Sequence, residues 1–269
     1  MNKNKKELYD FWDTSSCGEA LYLKEVSISG YKAQSSSRYK LEGDLIFPFA
    51  EFKKYTNKKV LEIGVGLGSD HQQFSQNGAD LFGIDLTENA INHTKRRLSL
   101  VNLSSNLSVG DAEQLIFKNN MFDLVYSWGV LHHSPDTPQA ISEVYRVLKK
   151  NGEAKIMIYH KFSIVGYMLW ARHALLRLKP FQSLDEIYSR FLESPGTKAY
   201  SKSQAYELFS AFSSIEIKTP LTHGDLLESD VGQRHRGLIL TVIKKILPRK
   251  LIRLFMPNHG LFMMVKLIK

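Results

Sequence analysis

The run Val60-Leu61-Glu62-Ile63-Gly64-Val65-Gly66-Leu67-Gly68 constrains this 269-residue chain more than any other segment. Its first four residues read as a short buried strand. Glycines at every second position then stop that strand. Glycine lets a backbone turn tightly and approach a ligand with no Cβ in the way. Ser69–Gln76 reads as the helix that follows, with Ser69 or Asp70 near its N-cap and Gly78 just past its end. A strand, a glycine turn and a helix in that order open an α/β sheet whose ligands bind at the carboxyl ends of its strands. Alone, such a turn also occurs with no ligand at all.

The alternation continues downstream. Leu81–Leu86, Asn106–Val109, Phe122–Ser127 and Ala154–Tyr159 read as further strands. Thr87 can cap a helix with Ile91, the Lys95 stem and Leu98 on one face. Thr137 and Pro138 suit the N-cap and first turn of another helix, which presents Ile141, Val144, Val147 and Leu148 and ends near Gly152. Strands with near-continuous apolar cores, separated by helices, indicate a parallel sheet covered on both faces. Residues 1–55 read as an N-terminal cap of helices and loops, with Ser35–Ser37 in a loop. Residues 161–212 look mainly helical. Ser214–Lys218 and Phe262–Ile268 read as two late strands, and residues 223–259 between them as an insertion holding a basic amphipathic helix.

Polar residues fall at the strand ends in the order a nucleotide crevice needs. Asp85 ends the second strand, close to 20 residues after the glycine turn, where a carboxylate can accept both ribose hydroxyls. Its plainer reading is a charge at a helix N-terminus. Asp111, in Gly110-Asp111-Ala112-Glu113, can accept from an adenine amino group; its plainer reading is a turn. Ser127-Trp128-Gly129 closes the fourth strand beside the same crevice.

These motifs, VLEIGVGLG, GIDLT, GDAEQL, FDLVYSWGVLHH and AISEVYRVLKKNG, span about residues 58–160. Through them the chain resembles the class I S-adenosylmethionine-dependent methyltransferases, in particular the small-molecule group with Leu-His-His after the fourth strand. The resemblance implies a Rossmann-like, seven-stranded, mostly parallel sheet that ends in a β-hairpin, with helices on both faces. It places a methyltransferase domain at 56–269, behind the 1–55 cap and with insertions at about 161–212 and 223–259. It implies S-adenosyl-L-methionine as cofactor. Glu62, Gly64, Gly66 and Gly68 would hold its amino-acid end, and Asp85 with Leu86 its ribose. Asp111 and Ala112 would flank the adenine, and Ser127 and Trp128 would line the methyl channel. A nicotinamide dehydrogenase fits less well. Its third glycine is Ser69 here, and a pyrophosphate leaves Glu62 unexplained, whereas a carboxylate suits the ammonium of a methionine moiety.

Methyl transfer from a sulfonium is an in-line displacement that needs proximity and alignment above all. A hydroxyl or amine acceptor also needs a base. His132, His133 and His160 are the candidates, with His132 or His160 the first to test and a structural hydrogen bond as the plainer reading of each. Histidine bases suit hydroxyl acceptors, so oxygen is the expected methylated atom. A metal site from His132, His133 and Asp136 is disfavoured, because neighbouring residues rarely ligate one ion. Glu193–Tyr200, Thr222–Leu227 and Gly232–Gly237 are polar stretches that suit loops over a substrate. Arg234 and Arg236 would grip a carboxylate or phosphate there, which makes an anionic small-molecule acceptor a candidate. Tyr22, Tyr31, Arg38 and Tyr39 are candidates for folding over the cofactor cleft.

A formal net charge of +9 raises two further readings. Nucleic acid is disfavoured as a substrate, since Ser127-Trp128-Gly129-Val130 stands where amino-methylating DNA enzymes place an acid or amide and two prolines. A non-catalytic cofactor-binding scaffold is the other alternative. Leu238–Phe255 carries an apolar side against Lys244, Lys245, Arg249 and Lys250, which suits peripheral membrane contact or, more simply, packing on the domain. The single cysteine, Cys17, excludes an internal disulfide and reads as a small buried residue. With no apolar stretch behind the basic N-terminus, the chain reads as cytoplasmic.

Overall fold

A computed structural model describes residues 3–228 and 247–269. The seven strands are β1 (Lys59–Ile63), β2 (Asp80–Asp85), β3 (Asn106–Val109), β4 (Phe122–Trp128), β5 (Leu148–Tyr159), β6 (Ser214–Lys218) and β7 (Phe262–Ile268). They form one sheet in the order β3-β2-β1-β4-β5-β7-β6. The first five are parallel, and β7 runs antiparallel to both β5 and β6. This is the Rossmann-like arrangement with a terminal hairpin that the resemblance implies, and its strand order reverses between β1 and β4.

Alternation along β1 shows how the sheet is covered. Leu61 and Ile63 face a core shared with Ala140, Ile141, Val144 and Val147 of α6 (Thr137–Val147) and Ala205 of α9 (Lys202–Leu208). Val60 faces the opposite core, with Ile46, Phe49 and Ala50 of α3 (Ile28–Ala50) and Phe74 of α4 (Ser69–Gln76). Glu62 shares the Val60 side by the two-residue period of a strand. The sequence therefore buries a carboxylate beneath α3 and α4.

Several local expectations are corrected. Ser35–Ser37 lie inside α3 rather than in a loop. Serine is a poor helix former because its hydroxyl competes for the backbone. Here tertiary bonds outweigh that, because Arg97 of α5 (Glu88–Ser99) reaches up to this helix. Its guanidinium donates to Gln34 Oε1 at 2.9 Å, Tyr31 O at 3.2 Å, Ser69 Oγ at 3.1 Å and Leu67 O at 2.9 Å, and also to Ser35 Oγ. Gly68 is the N-cap of α4, with Ser69 and Asp70 next to it in the first turn as expected. The N-cap of α6 is Asp136, whose side chain accepts from Gln139 N at 3.0 Å. Thr137 turns its hydroxyl to Leu131 O and Ser134 O instead. That helix stops at Val147, and β5 begins at Leu148 and carries Gly152 within it.

Residues 3–55 hold α1 (Lys3–Thr14), α2 (Glu19–Tyr22), α3 and a 3₁₀ turn over Phe52–Tyr55. Between β5 and β6 lie α7 (Ile164–His173), α8 (Leu184–Phe191) and α9. Of the segment Leu238–Phe255 only the end is described. There α10 (Arg249–Phe255) leaves Leu251, Leu254 and Phe255 exposed. Arg234, Arg236, Lys244 and Lys245 lie outside the described residues. Among the described residues no helix is long and apolar enough to cross a membrane.

Arg97 is 3% exposed and joins α3, α4 and α5. Replacing it by Met leaves several buried acceptors without a donor, so Arg97→Met should lower unfolding free energy by about 2–3 kcal/mol. Urea unfolding of the two proteins measures this.

Candidate active site

One cavity of about 690 Å³ runs along the carboxyl ends of β1, β2, β4 and β5. That volume suits a small-molecule site. Its first half is the glycine turn. Gly64, Gly66 and Gly68 have φ of 83°, 49° and 74°, the left-handed region that side chains disfavour. A Cβ on Gly64 would stand 2.2 Å from Val130 Cγ2, and one on Gly68 2.8 Å from Thr94 Oγ1. At Gly66 a Cβ would meet nothing within 4 Å, so this backbone lies open on the cavity. Gly68 does not line the cavity; its role is the close approach to α5.

Asp85 sits at the end of β2 on the cavity wall. Its carboxylate accepts from Gly66 N at 3.1 Å, Thr87 N at 3.1 Å and Thr87 Oγ1 at 3.0 Å. Burial pushes its carboxyl up, and these bonds oppose that rise. Leu86, Asp111 and Ala112 line the adjoining wall. Lys5 of α1 bonds both Asp111 and Glu113, so the N-terminal helix is tied down across this end.

Glu62 is 4% exposed and still reaches the cavity. Burial, and then the nearby Asp70 carboxylate, raise its pKa well above the usual carboxylate range. Its Oε2 lies 2.9 Å from His71 Nδ1. Burial drives the His71 pKa down to about 3, so the contact is a hydrogen bond with a neutral imidazole and not an ion pair. Asp70 accepts from Arg38 at 2.7 Å and from Tyr39 and Tyr126 hydroxyls, both at 2.9 Å. Buried carboxyls at Glu62 and Asp85 make this half of the cavity a fit for a cationic nucleoside, with Glu62 placed for an ammonium. Arg38, also on the wall, is placed for the carboxylate of an amino-acid moiety. Tyr22 lines the cavity as well. Tyr31 instead bonds His93 at 2.9 Å, and Tyr39 is spent on Asp70.

The other half is walled by Trp12, Trp128, Met157, Leu192, Leu261 and Phe262. His133 also stands on this wall. The ring's Nδ1 lies 2.8 Å from Ser194 Oγ and 3.1 Å from Thr197 Oγ1. Thr197 gives its own proton to Ser194 O at 2.7 Å, so towards His133 it can only accept. Ser194 Oγ can either donate to Nδ1 or accept from it, so its rotamer decides whether the ring proton sits on Nδ1 or on Nε2. Nε2 stands 3.3 Å from Glu193 Oε2, outside hydrogen-bond geometry. Tyr159 donates to that same oxygen at 2.7 Å.

The remaining sequence candidates fall elsewhere. His132 is fully buried, does not line the cavity, and neither ring nitrogen has a hydrogen-bond partner. Its ring lies tilted against those of His133 and Tyr159, and burial holds its pKa well below the usual range. His160 also stands off the cavity, with Nδ1 3.2 Å from Gly260 O and a pKa lowered by burial to about 4. Ser127 is buried and donates to Ile63 O at 3.1 Å, fastening β4 to β1, while Trp128 does line the cavity. The set His132, His133 and Asp136 does not assemble, because Asp136 caps α6. Cys17 is exposed, on the cavity wall rather than buried. Sequence reading missed the pairing of His133 with Glu193. The one available signal was that Glu193 opens the polar stretch 193–200.

Residues 61–156 match a family described as a methyltransferase domain. The chain is 34% identical over 119 residues to phosphoethanolamine N-methyltransferase 2 of Caenorhabditis elegans, covering 44% of this chain and 27% of that one. It is 28% identical over 185 residues to the ubiquinone biosynthesis O-methyltransferase of Pelagibacter ubique, covering 61% and 70%. The chain spans 27% and 48% of the length of the C. elegans protein and a fission-yeast sterol 24-C-methyltransferase, respectively. Among solved structures, phosphoethanolamine N-methyltransferase 2 of Haemonchus contortus, in complex with phosphomonomethylethanolamine and S-adenosylhomocysteine, superposes with a TM-score of 0.63. That likeness, at 19% identity, covers 100% of this chain and 60% of the other and establishes the fold alone.

An ammonium beside Glu62 requires the ionised carboxylate. Because the Glu62 pKa is raised, protons compete with that ammonium as pH falls through the raised value. S-adenosylmethionine affinity should therefore weaken towards acid pH, with proton release on binding in the same window. Glu62→Gln should bind roughly 10- to 100-fold more weakly and lose most of this pH dependence. Calorimetry across pH in buffers of different ionisation enthalpy measures both effects.

Proposed function

From the premise that this chain carries a class I S-adenosylmethionine-dependent methyltransferase domain, we propose that it methylates a hydroxyl oxygen on a small molecule. The observation that carries this reading is the His133–Glu193–Tyr159 cluster on the wall of the second lobe, whose aromatic and aliphatic lining is shared with Glu42, Thr222 and His223. The lobe is continuous with the glycine turn, so acceptor and cofactor would share one cavity.

When bound, the cofactor supplies a methyl carbon on a positively charged sulfur. Gly66 and Asp85 would hold the nucleoside, and Glu62 and Arg38 the ends of the amino acid. Trp128 and Met157 would shape the space between cofactor and acceptor. His133 Nε2 would take the hydroxyl proton as the oxygen–carbon bond forms and the carbon–sulfur bond breaks. This role requires the ring proton on Nδ1, where Thr197 Oγ1 can accept it. The Glu193 carboxylate would then stabilise the imidazolium, as a charge beside a developing opposite charge does. His133 is assigned as the base over His132 and His160 because it alone of the three lines the cavity.

The lining also bears on the acceptor's charge. Among the described residues its cations are Lys5 and Arg38, and both are engaged by carboxylates. An anionic acceptor would draw its counter-charge from Arg234 and Arg236, outside the described residues, and the relative named as a phosphoethanolamine N-methyltransferase supports that class. The relative named as a ubiquinone biosynthesis O-methyltransferase is consistent with oxygen as the target.

His133→Ala should lower kcat by about 10²–10⁴-fold while leaving S-adenosylmethionine affinity unchanged. Glu193→Gln should lower it less. Methyl release from labelled cofactor over a panel of phenols and alcohols, with calorimetry alongside, provides the measurement. Normal turnover in His133→Ala would remove His133 from this role, and absence of cofactor binding by the native protein would sink the whole reading.

A further inference from the structure

The connection between α7 and α8 departs furthest from ordinary surface composition. Leu176, Leu178 and Phe181 are 71%, 90% and 100% exposed. A single apolar side chain on a surface needs no explanation, but three within six residues form a patch. The tip is internally bonded. Leu178 N donates to Leu175 O at 3.0 Å, Lys179 N to Ala174 O at 2.9 Å and Gln182 N to Lys179 O at 3.1 Å. Trp170 Nε1 donates to Gln182 O at 3.0 Å. Leu178 has φ 55°, a left-handed conformation that a side-chain-bearing residue rarely adopts. The fold accepts that strain in a leucine whose side chain meets only solvent.

Cations interleave with these side chains. Arg172, Arg177 and Lys179 are all exposed. Arg177 lies over the Phe191 ring at 5.9 Å. Acids follow in the first turn of α8, where Asp185 is paired with Lys161 at 2.9 Å. Apolar tips between cations match a bilayer interface, where tips enter the acyl boundary and cations meet anionic headgroups. A second copy of the chain would bring like charge against like charge.

We infer that residues 175–181 are a docking surface for an anionic lipid bilayer. The helices that carry this excursion, α7 and α8, reach the cavity through Val165 and through Leu192 just past the end of α8. A net charge of +9 adds long-range attraction to the same surface.

The test is flotation of the full chain with vesicles of phosphatidylcholine containing roughly one-third phosphatidylglycerol, and with pure phosphatidylcholine, at about 0.15 M salt. The native protein should float with the anionic vesicles and much less with the neutral ones. Leu178→Asp/Phe181→Asp should lower the partition coefficient about tenfold or more. Arg177→Glu/Lys179→Glu should remove the preference for anionic lipid. Thermal melting checks that each variant folds, and Phe181→Ser is the milder substitute if the double aspartate does not. The inference fails if native protein does not float with anionic vesicles, or if folded tip variants float as well as native. It also fails if light scattering shows that the tip joins two copies of the chain. Flotation needs neither cofactor nor turnover, so its failure leaves the methyl-transfer reading untouched.

Discussion

The hydrogen bond from Gly66 N to Asp85 Oδ2 holds the functional end of this molecule together. It joins the glycine turn after β1 to the last residue of β2, just as Gly64 N joins Ile84 O at 2.8 Å one step earlier. The parallel register of β1 on β2 makes both contacts available, since Ile63 pairs with Ile84. The turn can then approach the sheet edge only because its residues take left-handed backbone with no side chain to clash. The cavity, the position of Glu62 beneath α3 and the distance from the turn to β4 all follow from that junction.

Around it the chain buries more charge than a core of this size usually holds. Asp70 gathers Arg38, Tyr39 and Tyr126, so α3, α4 and β4 meet at one carboxylate. Arg97 does the complementary work from α5. Such groups are costly to bury unless every one is bonded, and here they are bonded to one another across elements distant in sequence. The result is a polar wall on the cofactor side and a largely aromatic and aliphatic wall on the other, broken by Glu42, His133, Glu193, Thr222 and His223.

Much of this was legible before any coordinates. The strands read from the sequence are four to seven apolar-rich residues, and the bounds of β3, β6, β7 and α4 agree with the structure to the residue. Where reading failed, long-range contacts outweighed local preference. Ser35–Ser37 look like a loop by propensity, yet Arg97, about sixty positions away, makes their helix worth forming. Thr137 and Pro138 look like a cap and first turn, yet Asp136 takes the cap because Thr137 has buried acceptors to satisfy.

The apolar periodicity, the glycines and the acids that close each strand are local properties, and they determined the sheet, its crevice and the kind of cofactor that crevice suits. The identity of the histidine on the cavity was not a local property. His132 and His133 are neighbours in sequence, and only the 3₁₀ turn over Leu131–His133 and the packing of Tyr159 decide which ring is sealed in the core and which reaches the lobe. The partners of His133 come from residues 193–197, some sixty positions downstream, and no periodicity links the two segments. Tertiary structure decided them because side-chain protonation depends on what lies within a few ångströms, whatever the separation along the chain.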